Sequence, residues 1–125
     1  MRVPPDPPDG LRPVDPRTWE PVWARVIANP SVKNTGFALL VWAGWKDGAK
    51  IRPGTWRLMR ATGIRSDTTI RGALRQMRDW GLIWRYYEAA TSGIADDADE
   101  YRLTFPDDIT GIPLYSPDWE PPVDN

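Results

Sequence analysis

The run from Ser66 to Leu82, S-D-T-T-I-R-G-A-L-R-Q-M-R-D-W-G-L, dictates its own structure. Ile70, Ala73, Leu74 and Met77 recur at the i, i+3, i+4, i+7 spacing that places four side chains on one face of a helix, so that face is the core side. Ser66 is suited to the N-cap, where its hydroxyl accepts from a free backbone N–H, and Asp67 favours the positive end of the helix dipole. Gly81 is placed to stop the helix at C′. Thr68, Arg71, Gly72, Arg75 and Arg78 remain outward, small residues at the N-terminal end followed by arginines at spacings of four and three.

The rest of the chain must supply the partner for that apolar face. With 125 residues, 41% of them apolar and eight of them Trp, it has the material for one globular domain. Cysteine and histidine are both absent, which removes disulfides, Cys/His zinc sites and any triad with a histidine base. The expectation is a non-enzyme without cofactor. Asp96 and Asp97 are neighbouring carboxylates with no third ligand in view, too little for a metal site. No stretch approaches about 18 consecutive apolar residues, and M-R-V-P-P-D-P-P-D-G has no apolar signal-peptide core, so a cytoplasmic protein with no membrane partner is expected.

Read in order, residues 1–17 carry six prolines and form an extended arm. Thr18 caps a first helix from Trp19 to about Ala28, ended by Asn29-Pro30, because the residue before proline disfavours helix. A second helix runs from Lys33 or Asn34 to Trp45, with Phe37, Leu40, Val41 and Trp45 on its main apolar face and Leu39 and Trp42 on another. That second face is covered by the first helix or forms a dimer seam. Asp47-Gly48 turns the chain, Lys50-Ile51-Arg52 is a short strand, and Thr55–Thr62 is a third helix with Leu58 and Met59 inward. Thr62-Gly63-Ile64 makes a tight corner into the helix at Ser66. Residues 82–87 and 100–105 are strand-forming and close a hairpin, and 106–125 is an acidic, proline-rich tail.

The net charge of −1 hides a segregation. Lys50 to Tyr87 holds nine basic residues against two acidic, +7, whereas Glu88 to Asn125 holds ten acidic residues against Arg102 alone, −9. A polyanion would meet the local field of the middle segment, not the total.

A helix-turn-helix followed at once by a hairpin resembles the winged helix-turn-helix family of bacterial and phage DNA-binding regulators and replication initiators. The resemblance spans Thr35 to Phe105 and is carried by A-L-L-V-W-A at 38–43, I-R-P-G-T-W-R-L-M-R-A-T-G-I at 51–64, S-D-T-T-I-R-G-A-L-R-Q-M at 66–77, W-G-L-I at 80–83 and E-Y-R-L-T at 100–104. It implies a mainly α domain over 18–105 with a small antiparallel β-wing, in the order α-α-β-α-α-β-β. It also implies sequence-specific binding of double-stranded DNA, in transcription regulation or in replication control of a phage, plasmid or integrated element. By position the recognition helix would read with Arg65, Ser66, Asp67, Thr68, Thr69, Arg71 and Gly72, and with Arg75 a turn later. Arg52, Arg57, Arg60 and Arg85 would stand around it. The chemistry agrees: arginine's planar fork spans guanine O6 and N7, and short hydroxyl side chains allow close approach to phosphate.

The hairpin departs from this pattern, since Thr91 to Glu100 carries Asp96, Asp97, Asp99 and Glu100 and no base. Either it points away from the duplex, or binding rests on the arginines around the helix, or this copy of the fold serves protein partners. The alternative function is therefore a winged-helix protein–protein interaction module using the Trp-rich helices or the acidic tail; separately, a homodimer through residues 19–45 would ask for a palindromic DNA site. That tail could equally compete with DNA for the basic face, with Leu114, Tyr115 and Trp119 as anchors.

Overall fold

The computed structural model describes residues 3–90 and 98–116, which contain four helices and a three-stranded antiparallel sheet. The chain runs β1 (Leu11–Pro13), α1 (Pro16–Arg25), α2 (Pro30–Leu39), α3 (Gly54–Thr62), α4 (Asp67–Asp79), β2 (Ile83–Tyr87) and β3 (Glu100–Pro106). Asp96, Asp97 and the tail from Pro117, with Trp119, lie outside the described residues.

The run from Ser66 to Leu82 forms the expected helix. The Ser66 hydroxyl accepts from the Thr69 N–H at 3.2 Å, and Ile70, Ala73, Leu74 and Met77 are buried. At the other end Gly81, at φ 75°, donates to the Arg78 carbonyl while Leu82 donates to that of Met77. These two bonds are the Schellman pattern, which satisfies the last free carbonyls and turns the chain straight into β2. The T-G-I corner also holds: Gly63 closes α3 at φ 78°, and Asn34 of α2 donates to the Thr62 carbonyl at 2.9 Å, fixing the corner against the second helix.

The N-terminal third differs from the expectation. Asp15, not Thr18, caps the first helix, accepting from the Thr18 N–H at 2.7 Å, and proline at N1 lets the helix begin at Pro16. Asn29-Pro30, expected to end one helix, starts the next: the Asn29 side chain accepts from Val32 at 3.0 Å with Pro30 at N1. The stretch before α1 is extended as expected but paired, because β1 adds a third strand to the sheet with Leu11 opposite Pro106 and Pro13 opposite Thr104.

The face of α2 is also corrected. The helix stops at Leu39, and the next residues close tighter turns, Leu40 donating to Phe37 and Val41 to Ala38. Leu39 is fully buried, whereas Val41 and Trp45 are each 74% exposed and Phe37 is 38% exposed. The covered face is Val32, Thr35, Gly36 and Leu39, across which α1 lies: the Trp23 indole sits where a Gly36 Cβ would be, and its N–H donates to the Lys33 carbonyl at 3.1 Å.

β3 is central, in the order β1-β3-β2. On the edge away from β2 it pairs with β1, then Val14 donates to the Leu103 carbonyl while Leu103 donates to that of Gly48, and Ile51 bridges Tyr101 through both of its backbone groups. The expected strand at Lys50-Ile51-Arg52 is thus reduced to that one bridge. Residues 107–116 are a strap: Ile112 is buried, Ile27 donates to the Pro113 carbonyl at 2.8 Å and Tyr115 to that of Arg25 at 2.7 Å. One core unites Trp19 and Trp23 with Leu39, Ile51, Leu58, Ile70, Met77, Ile83 and Leu103.

Candidate nucleic-acid interface

Helix α4 buries its stripe against α2 and α3 and leaves the opposite face outward. Arg65, Ser66, Asp67, Thr68, Thr69, Arg71, Gly72 and Arg75 are all exposed. At Gly72 an added Cβ would meet nothing within 4 Å, so the backbone there faces open space. Of these residues Asp67, Thr68, Arg71, Gly72 and Arg75 line one wall of an open groove of about 1050 Å³. The start of α3 and the base of the β2–β3 hairpin complete it, with Leu58, Leu74 and Tyr101 among the lining residues.

The two walls differ in charge. On the α4 side Arg71, Arg75 and Arg78 stand with Asp67. On the hairpin side Arg85 is held by Asp99 at 3.2 Å and by Glu88 at 3.7 Å, so its charge is spent within the wall. Asp99 also accepts from the Ala89 N–H at 2.8 Å and from the Tyr101 hydroxyl at 3.4 Å. Burial, and after it the Asp99 charge, push the Tyr101 phenol up to about 12. An Asp67–Arg71 contact of 3.6 Å runs along the α4 wall, one helical turn apart.

The remaining candidates are not brought into the groove. Ser66 is occupied as the cap of α4. Arg57 lies on the Trp56 ring, 4.7 Å from its centroid, and donates to the Pro53 carbonyl at 3.3 Å. Arg60 is exposed on α3. Arg52 belongs to a separate pocket of about 400 Å³ with Lys50, Tyr86, Glu100 and Pro4, where it approaches Glu100 at 3.9 Å. Sequence reasoning missed Trp56, Glu88 and Tyr101 as groove residues; for the last two the hairpin register, Arg85 opposite Tyr101, carries the signal.

Among the described residues no group of three or more His, Cys, Asp or Glu side chains could hold a metal ion, and no helix is long and apolar enough to cross a membrane. Comparison with protein-family models, with curated proteins and with solved structures returned no match to this chain.

Proposed function

We propose that the chain is a winged helix-turn-helix protein that binds duplex DNA sequence-specifically through α4, in transcription regulation or in replication control of a phage, plasmid or integrated element. The observation that carries this reading is the exposure of Thr68, Thr69, Arg71, Gly72 and Arg75 along a helix backed by α2 and α3, with Arg65 exposed just before its cap. A rigid helix with arginines and short hydroxyl side chains on its free face matches the shape and the hydrogen-bonding pattern of the major groove. The hairpin base spends Arg85 on its own carboxylates, so the duplex is held by α4 together with Arg60 and Arg65.

The test is titration of mixed-sequence duplexes, followed by selection from a randomised pool, at about 50 and 200 mM salt. Affinity is expected to fall steeply, with a log–log slope of about −0.9 for each phosphate neutralised. Arg75→Ala should cost about 1–3 kcal/mol on the selected site and relax one base position, while Arg60→Ala weakens selected and random duplexes alike. A flat salt response, or no duplex binding, overturns the reading.

A second reading, an interaction module working in a cytoplasmic setting, is favoured by the exposure of the large apolar side chains Phe37, Val41 and Trp45. It moves the dimer seam off Leu39, which is core, and onto these three. Light scattering of the wild type and of Val41→Glu over a wide concentration range decides it: a mass that rises with concentration only in the wild type supports self-association.

A further inference from the structure

An exposed carboxylate on the face of α4 that meets a polyanion needs an explanation. Asp67 is the first residue of α4, with its side chain 55% exposed, and Oδ2 lies 3.6 Å from Nη2 of Arg71, itself 57% exposed. Both line the groove wall that carries Arg75. Over phosphate such a carboxylate is repelled; over base edges it finds a donor only at the exocyclic amino groups of cytosine and adenine. Arginine has the reverse preference, since its fork fits the paired acceptors O6 and N7 of guanine. Where a guanine and a cytosine lie in adjacent base pairs, the major groove sets the guanine acceptors O6 and N7 next to a cytosine N4 donor.

We propose that Asp67 and Arg71 form a joint reader of two adjacent base pairs, with Arg71 on a guanine in one and Asp67 on the amino group of a cytosine in the other. The assignment rests on the duplex-binding reading above and names the residue pair that sets its specificity. The ion pair holds the two side chains alongside one another before DNA arrives, so less rotamer freedom is lost on binding. The same carboxylate acts against the wrong partner: wherever the edge offers an acceptor, or phosphate comes close, Asp67 is left facing negative charge. Arg75, with no carboxylate one turn before it at Arg71, has no such constraint.

The experiment is selection of duplexes from a randomised pool by the wild type, Asp67→Ala, Asp67→Asn and Arg71→Ala, each also titrated with one mixed-sequence duplex. Asp67→Ala should lose the cytosine preference at one position by about tenfold while keeping the guanine, and should bind the mixed duplex more tightly. Asp67→Asn should exchange that cytosine for adenine, because an amide offers the donor and acceptor that adenine N7 and N6 require. Arg71→Ala should lose the guanine. If Asp67 serves only the helix dipole and the cap region, Asp67→Ala lowers the melting temperature and leaves the base profile unchanged, which overturns the proposal while duplex binding stands. Should Asp67→Ala fold poorly, Asp67→Asn decides: an unchanged preference at that position overturns it as well. A wild type that binds no duplex at all removes the DNA reading and this assignment together.

Discussion

The Trp19 indole N–H donates to the backbone carbonyl of Leu82 at 2.8 Å, a bond that spans 63 residues and ties α1 to the turn that ends α4. The same carbonyl accepts from the Thr104 N–H at 3.1 Å, and Thr104 donates its hydroxyl to Gly81 at 2.8 Å. The end of the candidate recognition helix is thereby held from both the first helix and the central strand. Trp19 is fully buried and stacks on Trp23 with ring centroids 5.2 Å apart. Trp19→Phe removes the donor and leaves a void where the second ring was, and should destabilise the fold by about 2–4 kcal/mol. Urea unfolding checks this; a midpoint within error of the wild type would show that α1 does not brace α4.

Two glycines inside helices should respond to alanine with opposite signs. At Gly36 a Cβ would overlap the Trp23 ring at the crossing of α1 and α2, so Gly36→Ala overpacks the core and should cost about 1–3 kcal/mol. At Gly72 the same methyl enters open space on α4, so Gly72→Ala should stabilise by about 0.5–1 kcal/mol through the lower backbone entropy of the unfolded chain. Thermal melts of the two variants beside the wild type measure both. Gly72→Ala also separates stability from binding: a more stable protein with weaker duplex affinity would show that the bare backbone is used for close approach.

Where structure followed from neighbours in sequence, it was legible. Ser66 and Gly81 bracket one helix and act through bonds three to five residues long, and the 3.6-residue stripe between them needs only the helix period. The α2 face was not legible for a reason that can be located. Phe37, Val41 and Trp45 repeat every four residues, so a helix carried to Trp45 gathers them on one side, but the helix ends at Leu39 and the tighter turns after it carry Val41 and Trp45 out to solvent. β1 left no local mark: Leu11-Arg12-Pro13 does not alternate, and its strand character comes from the open edge of β3 more than 90 residues on. The groove was half legible. Its α4 wall follows from helix period, while its hairpin wall depends on a register that brings Arg85, Asp99 and Tyr101 together.

Tyr101 sets an alkaline limit on stability. Burial and the neighbouring Asp99 push its phenol up to about 12, against about 10 for a free tyrosine. The folded state therefore holds this proton more tightly than the unfolded chain. The contribution is complete below about pH 10 and is lost as the pH rises through that value towards 12. Tyr86 is displaced in the same direction, by burial first and then by its hydrogen bond to Glu100. Denaturation midpoints measured from pH 8 to 12 should fall across this window, with tyrosinate absorbance rising as the fold is lost. In Tyr101→Phe the fall should be shallower, and an identical slope would show that the phenol is solvated in the native state.

The C-terminal stretch calls for two truncations rather than one. Removing everything after Phe105 takes away buried Ile112 and the Leu114–Val26 bridge. It also removes the acceptor that the Tyr115 carbonyl offers to the Arg25 guanidinium at 2.8 Å. Burying an aliphatic side chain of that size contributes about 1.5–3 kcal/mol, so this truncation should unfold at distinctly lower denaturant concentration. Any change in DNA binding would then be confounded with loss of the fold. Ending the chain after Ser116 keeps these contacts and deletes only Asp118, Glu120 and Asp124 among the acidic residues. A melting curve beside the wild type reports whether the fold is kept. If the last nine residues compete with DNA for the basic face, that variant should bind mixed-sequence duplex more tightly, most visibly at low salt where exposed charges are least screened. Equal affinity at low salt would leave the acidic end no part in masking α4, and would direct the search for its role to protein partners.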